Sequence, residues 1–292
     1  MAYRTLAEIL ANNEQNDLIL PGLVQKYLTT NEYLAWANTV VTDKPTIVVN
    51  YIADYGAVQK GIDCNTSLTS AAISGASDSF SLVKYLRQYE TCQDVVGLGS
   101  SFVDQASEDL LGAVKAMANE LAVDAITGTS GEIIGLNTLV TSSVAASGVG
   151  GVGDIESLWY LFDAVKAKSD KMALIMNAKT KRAVMSALLA AATVQTMELK
   201  GSSFLVPVFN SAAILVCDSC SDGDIFLVNG GTDEGVFPVI GTYPGANIGN
   251  LFKLTDVGVN QSKDTRIFRI AGHFAHVRKS RDALARITGW IA

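Results

Sequence analysis

The chain has 292 residues, 49% hydrophobic and only 17% charged, and a net charge of -7 from 22 Lys and Arg against 29 Asp and Glu. That length supports one large or two modest domains with a well-buried core, and the acidic balance excludes an electrostatic nucleic-acid binder, which needs clustered basic residues to neutralise phosphates. A charged share so far below the roughly 25% of ordinary soluble domains means either a large core or an exterior buried against other copies of the chain, and we favour the second.

Residues 1 to 40 read as an arm of short pieces: Leu6, Ile9 and Leu10 form a small stripe, Asn12 and Asn13 break it, Pro21 can open a turn of helix, and NEYLAWA gives another apolar patch. Three such pieces cannot enclose a core, so the segment is expected to lie as a strap across other structure. Arg4 and Glu8 interrupt any apolar run near the start, and no stretch approaches the ~18 apolar residues of a membrane span. A cytoplasmic site of synthesis with no membrane partner is expected. Four cysteines in a chain this long do not make a disulfide framework.

A long ribbon follows. Its outgoing limb, Thr46 to Ile62, places Ile47, Val49, Tyr51, Ala53, Tyr55 and Ala57 on one side and Val48, Ile52, Val58 and Ile62 on the other. The return limb is expected at Phe80 to Glu90, with a tip of small and hydroxyl residues from Asn65 to Ser79. Fifteen residues of strand span about 50 Å, too long for an internal hairpin of a compact domain. An isolated two-stranded hairpin is marginal in water, so neighbouring subunits are expected to support it, with Tyr51, Tyr55, Lys60, Phe80, Lys84 and Arg87 as contact candidates.

Ser101 to Asp104 then signals a helix start, with Phe102 as a staple and Asp104, Glu108 and Asp109 favourable at the positive end. Leu110, Val114, Met117, Leu121 and Ala125 recur at helical spacing, widened by Leu111, Ala118 and Ala122, and Gly128 ends the rod. Residues 141 to 153 (TSSVAASGVGGVG) form a connector of small residues and mark a domain boundary. Beyond it Asp154 caps a helix to about Lys168, Met172 to Asn177 is a buried strand, and Ala178 to Ala191 is a second helix. Strands are expected at Phe204 to Phe209, Ala212 to Cys217, Ile225 to Val228 and Arg266 to Arg278, and a short closing helix at Arg281 to Thr288.

The chemical motifs are thin. Gly148, Gly150 and Gly153 match G-x-G-x-x-G before a helix, but no firm strand precedes them and the next strand ends in Asn177 where an acidic ribose partner belongs, so they read as a hinge. Cys217 and Cys220 form C-x-x-C ahead of a turn, DSCSDGD, whereas a redox pair should open a helix; Cys64 and Cys92 have no matching spacing to complete a zinc site. His273 and His276 are the only histidines and fall on opposite faces of a strand. Ser81 to Lys84 matches S-x-x-K on a strand, without companion motifs. Lys263, Arg266, Arg269, Arg278, Lys279, Arg281 and Arg286 face only Asp264 and Asp282, and read as ion-pair partners or a solvated face. No enzyme, metal or cofactor is expected.

The order of parts (arm, hairpin, spine helix, Gly-Ser connector, α/β region, returning strand) resembles the tailed-phage major capsid proteins of the Hong Kong 97-like fold. The stretches that carry it are LPGLVQKYLTTNEYLAWANTV at 20 to 40, LRQYETCQDVVGLGSSFVDQASEDLLGAVKAMANELAVDAITGT, GEIIGLNTL, KMALIMNAKTKRAVMSAL, VPVFNSAAILVCDSCSDGDIFLVN and HFAHVRKSRDALARITG. The resemblance implies an α+β fold with an N-terminal arm over 1–43, an extended hairpin loop over 44–90, a peripheral domain over 91–149 and 246–292, and an axial domain over 150–245. It also implies a shell of hexamers and pentamers around double-stranded DNA held without sequence-specific contacts, with a portal as partner and a cement protein as a further candidate. Because the chain starts at Met1, scaffolding by a separate protein is expected, and no covalent link from Lys60 to Asn247 or Asn250 of a neighbour. Two rivals stand beside it: an encapsulin-like nanocompartment, and a cytoplasmic α/β enzyme using the glycine loop.

Overall fold

The computed structural model of the chain describes residues 4–5, 32–54, 74–92, 112–113, 116–117, 119–129, 131–145, 154–190, 195–198, 205–241 and 252–290. The expected helices at 6–10 and from Pro21, the far part of the outgoing limb with Tyr55 and Lys60, residues 65–73 of the expected tip, the helix start near Asp104 and the glycine loop lie outside these residues.

β1 (Arg4–Thr5) pairs antiparallel with β2 (Asn38–Thr42), and α1 (Glu32–Trp36) precedes β2. The NEYLAWA patch is core: Tyr33, Leu34, Trp36 and Ala37 are all buried. β3 (Thr46–Asp54) pairs antiparallel with β4 (Ser74–Ser81) as a two-stranded ribbon. β5 (Val83–Cys92) does not belong to that ribbon. This corrects the expected return limb, which is 74–81 and not 80–90. The break falls at Leu82, whose N–H donates to the Pro45 carbonyl at 2.8 Å and closes the ribbon's base. Beyond it, the Val83, Tyr85 and Tyr89 face finds a longer apolar partner strand in the body.

All described residues between 112 and 127 are helical, and Ala113, Met117, Leu121, Ala122, Ala125 and Ile126 form the buried stripe that the spacing predicts. Gly128 ends the helix because a Cβ there would sit 1.9 Å from the Ile133 carbonyl oxygen and 2.6 Å from that of Asp124. α2 (Leu136–Leu139) and β6 (Ser142–Ala145) follow, so the small-residue connector begins as a strand. α3 (Ile155–Ala164) is capped as predicted, with Asp154 accepting from the Ser157 N–H at 3.0 Å. It stops before Lys168 because Val165 turns to extended backbone and buries its side chain completely.

The second half supplies β7 (Met172–Met176), α4 (Ala178–Ala190), β8 (Gln195–Glu198), β9 (Leu205–Phe209), β10 (Ala212–Val216), β11 (Ile225–Asn229), β12 (Val236–Gly241), β13 (Phe252–Val259), β14 (Thr265–Arg278) and β15 (Leu284–Thr288). The expected closing helix is corrected here. Only Arg281–Ala283 turns, as one 3-10 turn capped by Ser280, and the rest is β15. A five-residue segment cannot repay helix nucleation alone, whereas the edge of β11 offers it a full ladder from Ile287 opposite Ile225 to Leu284 opposite Val228.

Two larger sheets result. One runs β6-β15-β11-β7-β10-β9-β8; the other runs β1-β2-β12-β14-β13, with β5 also paired to β14. Their membership does not follow chain halves: β6 and β15 sit in the sheet built mainly from 172–229, while β12 crosses over to pair with β14 and β2. β7 is buried on both sides, which is why MALIM reads as a continuous apolar run and not an alternating one. Ala173 and Ile175 join the core shared with α1, the spine helix and the β12–β14 pair; Met172, Leu174 and Met176 join a second core beneath α3 and α4. The seven-stranded sheet is thus covered on both faces.

Candidate functional site

Among the described residues no group of three His, Cys, Asp or Glu is placed to hold a metal ion. Cys217 and Cys220 are buried free thiols in the predicted turn, the Cys220 N–H donating to the Cys217 carbonyl at 3.1 Å. A hydrogen bond to Cys217, with burial added, pushes the Cys220 thiol well above its ordinary range. Gly223, at φ +80, makes the same turn and packs against the Trp290 backbone, where a Cβ would meet the carbonyl oxygen at 2.9 Å. The pair therefore closes a packed corner. His276 is buried against the Tyr33 hydroxyl, and burial lowers its pKa to about 4; His273, opposite Gly241 on the same strand, is only partly covered.

The basic run near the C-terminus is absorbed internally. Arg266 pairs with Asp256, Arg269 donates to the Gln88 side chain at 3.0 Å, Lys279 donates to the Thr232 carbonyl at 2.6 Å, and Arg286 pairs with the buried Asp224 at 2.6 Å. Arg278 and Arg281 both reach Asp78 of β4, at 3.2 and 3.3 Å.

That carboxylate marks the root of the ribbon. Ile47, Val49 and Tyr51 of β3 and Phe80, Asp78 and Ala76 of β4 are paired in register and share one face, all of it at least partly covered. The other face, with Val48, Asn50, Ser77 and Ser79, is exposed, Val48 at 59%. Phe80 is 4% exposed and joins the chain's own core, with Ile47 and Val49 packed beside it. The Phe80 ring packs in its own subunit, because the ribbon's first pairs lie directly on the body. Tyr51 is likewise held at home, donating to Asp78 at 3.4 Å with the Arg281 guanidinium 4.8 Å over its ring. Lys84 and Arg87 lie exposed on β5, opposite His273 and Ile270 of β14.

Asp78 was not legible as a partner in the sequence, although it is the only acidic residue between Asp63 and Glu90, while Arg278 and Arg281 lack nearby acids enough to match them. Beyond the ribbon, β5 and β14 extend together, with Tyr89 stacked on Phe268 at 5.3 Å and Leu86, Val257 and Val259 roughly half exposed. Trp159 and Tyr160 on α3 and Leu189 on α4 are also open to solvent. Among the described residues these exposed groups lie on strands and helix backs and do not converge on one cleft.

No protein-family model matches the sequence, and no curated protein matches it. Solved structures do match in fold. The encapsulin of a holo complex from Synechococcus elongatus superposes with a TM-score of 0.70 at 16% identity, covering 99% of this chain and 96% of its own. The capsid of cyanophage A-1(L) gives 0.66 at 14% identity over 90% and 92% of the two chains, and the capsid of an empty GTA particle gives 0.61 at 13% over 89% of each. The α+β architecture is the Hong Kong 97-like fold that these shells share.

Proposed function

We propose that this Hong Kong 97-like chain is a structural subunit, many copies of which build a closed shell, and that the shell is the head of a double-stranded DNA tailed phage. The observation that carries the reading is the ribbon. Its inner face is satisfied at home, while its outer face of Val48, Asn50, Ser77 and Ser79 has no cover from the described residues of its own subunit. A neighbouring copy laid on that face supplies the missing contact, and repeated around a closed ring such contacts add through multivalency. Internal pairing of the basic residues suits a wall that encloses nucleic acid without gripping it. Of the described contact candidates, Lys84 and Arg87 are exposed on β5 and Tyr51 is partly covered on the ribbon. Hexamers and pentamers, a separate scaffolding protein and a portal belong to the same proposal.

A second reading is an encapsulin-like nanocompartment, favoured by the 0.70 superposition that takes in 99% of this chain. Particles purified after expression in the native host decide between the two. Nuclease-protected double-stranded DNA inside them supports the phage head; a protein cargo without DNA overturns it in favour of the compartment. Failure of the chain to form any particle overturns both.

A further inference from the structure

The ribbon meets its own body in two chemically different steps. Nearest the base, Ile47 and Phe80 pack into the core, an apolar contact that has no preferred direction. Two pairs further out, Asp78 lies opposite Val49 and accepts from two guanidiniums that come from different elements: Arg278 at the end of β14, and Arg281 in the 3-10 turn before β15. Arg278 is 9% exposed and also donates to the Leu139 carbonyl at the end of α2. Arg281 covers the Tyr51 ring on the partner strand of the ribbon. One carboxylate thus ties both strands of the ribbon to three separate elements of the body.

We propose that Asp78, Arg278, Arg281 and Tyr51 form a latch that sets the angle at which the ribbon leaves the subunit. Hydrogen bonds between ions are directional where apolar packing is not, so a ribbon held only by Ile47, Val49 and Phe80 can swing, and one held also by Asp78 cannot. Ion pairs also release and re-form without unpacking a core, which a leucine at position 78 would not allow. In the described residues the ribbon has no third strand to fix it. The inference rests on the shell reading for its consequence: a fixed exit angle fixes the curvature between neighbours, and a loosened one yields shells of mixed size. The positioning role itself is a property of the single subunit.

The test separates the two. Hydrogen exchange on unassembled full-length subunits is measured for 46–54 and 74–81 in wild type, Asp78→Asn, Arg281→Ala and Arg281→Lys, and the same proteins are allowed to assemble and are imaged. Loss of a charged hydrogen bond is expected to speed exchange in the ribbon by about tenfold in Asp78→Asn and Arg281→Ala, with β7 and β11 unchanged and partial recovery in Arg281→Lys. Particle diameters are expected to broaden in the same order. Arg281 is 54% exposed, so its variants fold even if Asp78→Asn does not. Unchanged exchange in the ribbon of Arg281→Ala overturns the latch. Faster exchange with no shells formed by wild type keeps the latch and removes the shell reading.

Discussion

His276 is neutral in the fold because burial holds its pKa near 4, well under its ordinary value. The unfolded chain takes up a proton there first, so stability is present above about pH 6.5 and is lost as pH falls toward 4, by roughly 3 kcal/mol over that window. Denaturant unfolding of His276→Gln should show a flatter dependence between those limits than wild type; an identical slope counts against this assignment. Phe80→Ala should destabilise the subunit itself by about 3–5 kcal/mol, read as a lower urea midpoint before any assembly. A variant of normal stability that fails only to assemble would return Phe80 to the neighbour. Residue type told truly where backbone chemistry is local: Asp154 capped its helix and Gly128 ended one, since both act within four residues. Partners far apart in sequence were not legible. Asp78 and Arg281 are brought together by the fold and by nothing in the spacing, and the aromatic residues of the ribbon looked outward because alternation alone does not say which face meets the body.

At the scale of elements, period and length decided what could be read. MALIM and the AKTKRAVMSALLA helix are found where the patterns place them, because a continuous apolar run and a long amphipathic one are hard to mistake. Arg281 to Thr288 carries neither period clearly in its eight residues; its first three form a 3-10 turn and the edge of β11 makes LARIT a strand. The hairpin was misread in its return limb for a similar reason, since 74–81 is mostly small and polar and only its pairing to β3 makes it a strand. A deletion through Glu90 also removes β5, which pairs with β14 from Phe274 to Thr265, and should unfold the subunit. A deletion of 52–75 bridged by a short Gly-Ser linker keeps Ile47, Val49, Asp78 and Phe80 on the body and should leave a folded, soluble subunit that forms no closed shell, checked by circular dichroism and electron microscopy. Normal particles from that deletion would show that the ribbon is dispensable.

For the whole molecule, the low charge foreseen as interface has two sources. Part is core, since the seven-stranded sheet is buried on both faces and takes apolar residues twice over. The rest is surface left open: Val48 on the ribbon, Leu86, Val257 and Val259 on the extended strands, and Trp159, Tyr160 and Leu189 on the helix backs. Such residues scattered singly need no explanation; Leu86, Val257 and Val259 lie on strands that both pair with β14, and with Val48 on the ribbon they fit a subunit that is finished by others. The most direct measurement is electron microscopy of the purified full-length chain, carried to a reconstruction in which neighbours are resolved. The account predicts closed icosahedral particles in which the Val48, Asn50, Ser77 and Ser79 face of each ribbon lies on an adjacent copy. A monodisperse 30.9 kDa monomer at high concentration, or shells in which that face contacts no neighbour, would contradict it.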